Sequence, residues 1–256
     1  MHIVAIHKLH GEAQVLAQKL AQVIGVTAYE ARARVSIPGG GPALIASFAA
    51  CDKAVECASR LQEAGFTPLV IDADQMESDH NRLIVGRLSF TSEALDVVCQ
   101  DEQTVSVPYT DIRLLLRGAG ILTMTELATS TKKKFALGRA VATGGLMMRK
   151  KVTTVTANTT QDRQPFCHLY AKDQPPVVLR QAEIDYSTLG ENRQLSRDAN
   201  FTWICTELRR RCEAAQWDDR LQTRPGLAQV LGPAFDPERH LDIAIALVSQ
   251  SLLSEI

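Results

Sequence analysis

The sequence predicts an α+β fold: an N-terminal βααβαβ sandwich, then a β-rich part, then C-terminal helices. Three observations carry this. Through residue 75 the apolar residues switch between period 2 and helical spacing. From residue 82 they fall instead into short Val-, Leu- and Ile-rich runs bounded by polar turn residues. Past residue 196 helical spacing returns.

The elements follow in order. HIVAIHK, residues 2–8, sets Ile3 and Ala5 against Val4 and Ile6 and reads as a buried strand. GEAQVLAQKLAQVIG, residues 11–25, repeats Val15, Leu16, Leu20, Val23 and Ile24 at helical spacing and stops at Gly25. TAYEARARV opens a second helix with Thr27 as cap and Glu30 three residues on, a capping box in which each side chain takes the other residue's free backbone N–H. PGGG at 38–41 breaks the chain, and PALIASFA is a short strand. CDKAVECASRLQEAG starts at a capping Asp52, aligns Ala54, Val55, Ala58, Leu61 and Ala64, and ends at Gly65. FTPLVIDAD is the third strand. Three strands with helices over one face make a two-layer domain, residues 1–75.

The stretch VIGVTAYEARARV…SFAACDKAVECASRLQEAGFTPLVID, roughly residues 10–72, resembles the C-terminal domain of the bacterial ribosomal stalk protein and the ClpS-type protease adaptors that share its fold. The resemblance implies a domain that binds another protein through its paired helices, with Tyr29, Arg32 and Arg34 as the contacting residues. Stalk domains hold translation GTPases through cations on these helices; here the first helix keeps Lys19 alone.

A polar linker, residues 76–81, precedes the β-rich domain at 82–215. RLIVGRLSF, ALDVVC, QTVSVPY, IRLLLRG, TTVTANTTQ and the runs around KDQPP are its strands, since β-branched side chains suit a pleated sheet. The corner Val107–Ile112, VPYTDI, is similar to one found in PH-like and GRAM-like domains, which implies a curled antiparallel sheet closed by one helix. That helix is SRDANFTWICTELRRRCEAA, with Asp198 or Asn200 as cap and Phe201, Ile204, Cys205, Leu208 and Cys212 along one face. The extension 216–256 holds a helix started by Asp236, Pro237 and Glu238. Its apolar positions run almost all round. It needs cover, either by docking on the chain or by pairing with a second copy as a homodimer.

Charge is uneven. The whole chain has a net charge of −1, yet residues 127–161 carry seven cations and no carboxylate. Those cations are Lys132, Lys133, Lys134, Arg139, Arg149, Lys150 and Lys151, in a basic insertion at 127–152 within a long connection from about 118 to 152. Three readings compete: a site for phosphates of nucleic acid or of an anionic lipid, an interfacial helix broken by Gly144-Gly145, and a solvated face opposite the acidic residues 76–126. Phe135 is its lone aromatic, which disfavours stacking on single-stranded nucleic acid.

No run of eighteen apolar residues and no secretory leader is present, so a cytoplasmic protein is expected. The six cysteines, at 51, 57, 99, 167, 205 and 212, have no metal-knuckle spacing and read as mostly buried thiols. No phosphate loop, nucleophile elbow or zinc helix motif occurs, so no cofactor is expected. The function read from these features is a non-catalytic adaptor. The alternative is a metal-dependent enzyme using Asp72, Asp74, Glu77 and Asp79, carboxylates that could take Mg²⁺ or Ca²⁺.

Overall fold

A computed structural model describes the backbone of residues 1–135 and 149–254, and the side chains of 1–120 and 163–254. The fold is α+β, with two separate sheets. The first has three antiparallel strands in the order β2-β1-β3: β1 (His2–His7), β2 (Ala43–Phe48) and β3 (Thr67–Asp72). Helices α1 (Ala13–Ile24), α2 (Ala28–Val35) and α3 (Cys51–Glu63) cover one face, completing the βααβαβ order read from the sequence.

The alternation in β1 explains what lies on the other face. Val4 and Ile6 pack with Leu20, Ala31 and Leu61 under the helices. Ile3 and Ala5 point the opposite way and are also fully buried. They meet Leu44, Ile71 and two C-terminal helices, α5 (Arg224–Leu231) and α6 (Leu241–Leu253). A strand apolar on both sides needs two covers, and the second comes from the far end of the chain. The docking reading for the last helix is therefore what the structure has. Residues Ile243 to Ser249 and Ser251 of α6 are buried in its own chain.

The second sheet is seven-stranded and mixed, in the order β10-β7-β8-β9-β4-β5-β6. β4 (Leu83–Phe90), β5 (Ala94–Cys99) and β6 (Thr104–Pro108) form an antiparallel meander. A short 3₁₀ turn at Tyr109–Asp111 leads into β7 (Ile112–Phe135), so the VPYTDI corner is a corner. β8 (Arg149–Ala171) pairs antiparallel with β9 (Val177–Arg180). The fully antiparallel sheet expected from the PH-like resemblance is corrected: β4 pairs parallel with β9, and β10 (Gln216–Leu221) pairs parallel with β7. One face carries Leu115, Cys167 and Leu169 against Phe201, Ile204 and Leu208 of α4 (Arg197–Arg211). The other presents Leu114, Leu116, Phe166 and Tyr170 to α5, α6 and the first sheet.

Caps and edges account for the smaller departures. Ser196 caps α4 by accepting from the Ala199 N–H, while Asn200 is buried and bonds the Gln194 backbone. Asp52 is not the cap of α3; it sits in the first turn behind Ala50, where its charge still suits the helix dipole. Asp236 holds a turn by accepting from the Glu238 N–H, and α6 begins only at Leu241.

The chain divides into two compact units, residues 1–120 with 164–256, and residues 121–163. In the second unit residues 121–135 and 149–152 are strand, where a connection was expected, and residues 153–161 are strand as read from TTVTANTTQ, a Thr-rich run that favours that state. No helix among the described residues is long and apolar enough to cross a membrane.

Gly118 on β7 is required by packing. A Cβ there would fall on the Phe166 ring, with Cε2 and Cε1 at 2.7 and 2.8 Å. Gly118→Ala should cost about 1–3 kcal/mol in chemical denaturation, the usual range for overpacking a core. A Phe166→Leu background should remove most of that difference.

Candidate functional site

The paired helices α1 and α2 meet at a turn fixed by two local devices. Gly25 takes a left-handed conformation, φ 72°, and its N–H bonds the Ala21 carbonyl. The Thr27–Glu30 capping box is present in full: the Thr27 N–H donates to Glu30 Oε2 at 2.9 Å and the Glu30 N–H to Thr27 Oγ1 at 3.3 Å. These bonds hold the Glu30 carboxyl below its usual pKa. With the turn fixed, Ala31 and Val35 face the core, while Val26 and Tyr29 face out. Tyr29 is 87% exposed.

Beside it lies an apolar cleft of about 610 Å³, lined by Ile24, Val26, Tyr29, Ala33, Ile45 and Pro233. Ile45 reaches it because of a bulge. Val4 pairs with Ala46 and Ala5 with Leu44, so Ile45 is the extra residue and the alternation of β2 slips by one. Ile45, Ala46 and Phe48 then share the helix side. A second depression of about 320 Å³ shares Ile24 with the cleft and is lined by Val23, Ala46, Phe48, Lys53, Glu56, Cys57 and Arg60; Lys53 pairs with Glu56 at 2.9 Å and Arg60 donates to the Val23 carbonyl. The two depressions meet at Ile24 beside the edge strand β2.

Two guanidinium groups line the cleft. Arg32 is exposed. Arg34 is not free in the same way. Its guanidinium donates to the Leu44 carbonyl and packs on Gly232, the left-handed C-cap of α5, where a Cβ would strike it. Burial pulls the Arg34 pKa below its ordinary value. Among the described residues neither arginine has a carboxylate within ion-pair distance. The lone acid of the cleft, Glu30, is held by its capping box.

The acidic stretch is not gathered into one site. Asp72 accepts from the Asp74 N–H and lies 3.9 Å from His2. Asp74 lies 3.7 Å from the N-terminal ammonium. Glu77 and Asp79 converge instead on Arg82, at 3.6 and 3.4 Å, and Asp79 also pairs with Arg180 at 2.5 Å. Among the described residues no group of three His, Cys, Asp or Glu side chains could hold a metal ion.

The Arg82 cluster went unread in the sequence. Arg82 is 4% exposed at its side chain and adds Asp242 of α6 at 3.1 Å. The Tyr170 hydroxyl donates to Glu77 at 3.2 Å and lies 3.5 Å from His168 Nδ1. Burial raises the Glu77 and Tyr170 pKa values and, helped by Arg82 and Arg180, lowers that of His168, which is therefore neutral. The cluster ties the 76–82 segment to β8 and α6, and its groups already partner one another.

Of the basic segment, Arg139 lies outside the described residues. Lys132, Lys133, Lys134, Arg149, Lys150 and Lys151 have strand backbone, and their side chains lie outside the described ones. All six cysteines are free; Cys99, Cys167, Cys205 and Cys212 are buried, Cys57 is half-buried and Cys51 is exposed. No protein-family model matches the chain, and no curated protein or solved structure matches it either.

Proposed function

We propose that the protein is a non-catalytic binding protein and that it holds a segment of another protein in the groove between α1, α2 and β2. The observation that carries this reading is Tyr29, an aromatic ring 87% exposed at the mouth of an apolar cleft of about 610 Å³. Single exposed apolar residues are ordinary on protein surfaces. A tyrosine beside a cleft that also shows Val26 and Ile45, with two cations at hand, is the composition of a binding surface rather than of a solvated one.

The test is site-specific photocrosslinking in cells that make the protein. A benzophenone side chain at position 29 should give a discrete adduct with one protein, and Arg32→Glu in the same chain should remove it. Leu195, more exposed than Tyr29 and away from the cleft, is the control for general stickiness. Adducts of equal pattern at both positions, or none at position 29, would retire the reading.

A further inference from the structure

Resting on that reading of the groove, the geometry points to its occupant: the free C-terminal end of a partner polypeptide, apolar in its last residues, with its carboxylate between Arg34 and Arg32.

Charge comes first. The cleft is apolar except for Arg32, Arg34, Ser36 and the occupied Glu30. A partly buried guanidinium without a counter-ion is costly unless an anion meets it in use. Arg34 is such a group: it is held against the Leu44 carbonyl and has no carboxylate in the chain among the described residues. A ligand complementary to this cleft is therefore apolar and carries a negative charge where it meets Arg32 and Arg34; further along, Lys53 is matched by Glu56, and Arg60 is held on the Val23 carbonyl.

Shape decides where that charge sits along the ligand. At one end the groove is walled, since Gly232 stands against Arg34 and Pro233 lines the cleft beside it. At the other it continues past Ile24 over Ala46 and Phe48. A chain lying along β2 that enters over Phe48 meets Gly232 and Pro233 at the Arg34 end. The residue that reaches Arg34 is then the last one, and a chain end supplies a carboxylate on the same Cα as an apolar side chain. β2 has six residues, so at about 3.3 Å per residue the track accepts about six extended residues. Backbone pairing along β2 is restricted, because Arg34 covers the Leu44 carbonyl and the bulge at Ile45 interrupts the edge. Affinity then depends on side chains and on the terminal charge.

Fluorescence anisotropy with three labelled octapeptides of alternating Ser and Leu, each ending in Leu, tests this. One has a free carboxylate, one a C-terminal amide, and one an amide with a Glu in place of an internal Ser. The free acid should bind about tenfold more tightly than either amide at low salt. Arg32→Gln should weaken the acid and leave the amides unchanged, whereas Tyr29→Ala should weaken all three. Both positions are exposed, so both variants should melt as the parent does. Equal binding of acid and amide, or restoration by the internal Glu, overturns the chain-end assignment. If Tyr29→Ala still weakens those peptides, the groove remains a docking site and only its occupant was misjudged. No binding of the free acid at millimolar concentration overturns the assignment as well, and crosslinking at position 29 then decides the groove independently.

Discussion

Truncating Leu247 to alanine should destabilise the protein by about 2–5 kcal/mol and release amide protection in β1 together with that in α6. Leu247 is fully buried in the core that α6 shares with Ile3, Ala5, Leu44 and Ile71. The cost has two parts: lost transfer energy of the removed carbons and the cavity left among rigid neighbours. The second part is where the architecture enters. If the first sheet were self-sufficient, loosening a helix more than 230 residues from β1 would leave β1 untouched. Here α6 is one of its two covers. A fragment of residues 1–75 should accordingly give no cooperative melt, because it exposes four apolar side chains of the sheet at once. Hydrogen exchange on Leu247→Ala and a thermal scan of the fragment check both statements. Protection of β1 that survives the substitution would mean that the helix merely leans on the sheet.

The dependence of β1 on the far terminus shows what the sequence could and could not convey. Local signals were legible: the β1 alternation, the Thr27–Glu30 box, the stop at Gly25 and the turn after Pro108 are all written within a few residues of where they act. The alternation even held more than it was read to say. Ile3 and Ala5 on one side, Val4 and Ile6 on the other, require two apolar covers, and helices on one face alone cannot supply both. Pairings that join distant segments left no comparable trace. β10, QWDDRL, has too few apolar positions to read as a strand; its Asp218 is buried and matched by Arg220 at 2.7 Å. Its parallel partner β7 lies about a hundred residues earlier, and nothing local encodes that choice.

The candidate site divides the same way. Tyr29 and Arg32 are exposed on α2. Arg34 looked equivalent in the sequence, two residues on, but a helix turns by about 100° per residue. Its guanidinium lines the same cleft but is tied to the Leu44 carbonyl and packed on Gly232, whereas Arg32 is exposed. The bulge that brings Ile45 into the cleft depends on a mismatch between β1 and β2, which neither strand shows alone. Arg82 looked like the first residue of a strand; its burial follows from three carboxylates brought by two separate segments.

Replacing Arg82 by methionine should cost about 2–3 kcal/mol, and a second substitution, Glu77→Gln, should return part of it. Methionine retains the packing of the side chain, so the loss is electrostatic. Breaking a fully buried pair usually costs more. Asp79 and Asp242 are more than half exposed at their side chains and can rehydrate, which holds the figure down. Glu77 cannot do so as fully; its side chain is 26% exposed. Burial already raises its pKa even with Arg82 present. The sign of the pH dependence follows. The folded state binds a proton at Glu77 that the unfolded state has released, so stability is full below the ordinary carboxylate pKa and falls as pH rises through the raised one. Glu77→Gln mimics the protonated form. It should match the parent in acid and exceed it in stability near neutral pH, and the advantage should widen in the Arg82→Met background, where the carboxylate has lost its cation. Arg82 is one of the groups that lower the pKa of the buried His168, so Arg82→Met changes it too, but it does so in both Glu77 backgrounds and the change cancels in the double-mutant comparison. Urea melts of the four proteins across pH measure this. A cost for Arg82→Met that Glu77→Gln leaves unchanged at neutral pH would place the penalty on Asp242, and the tie to α6 would then be the whole of what Arg82 contributes.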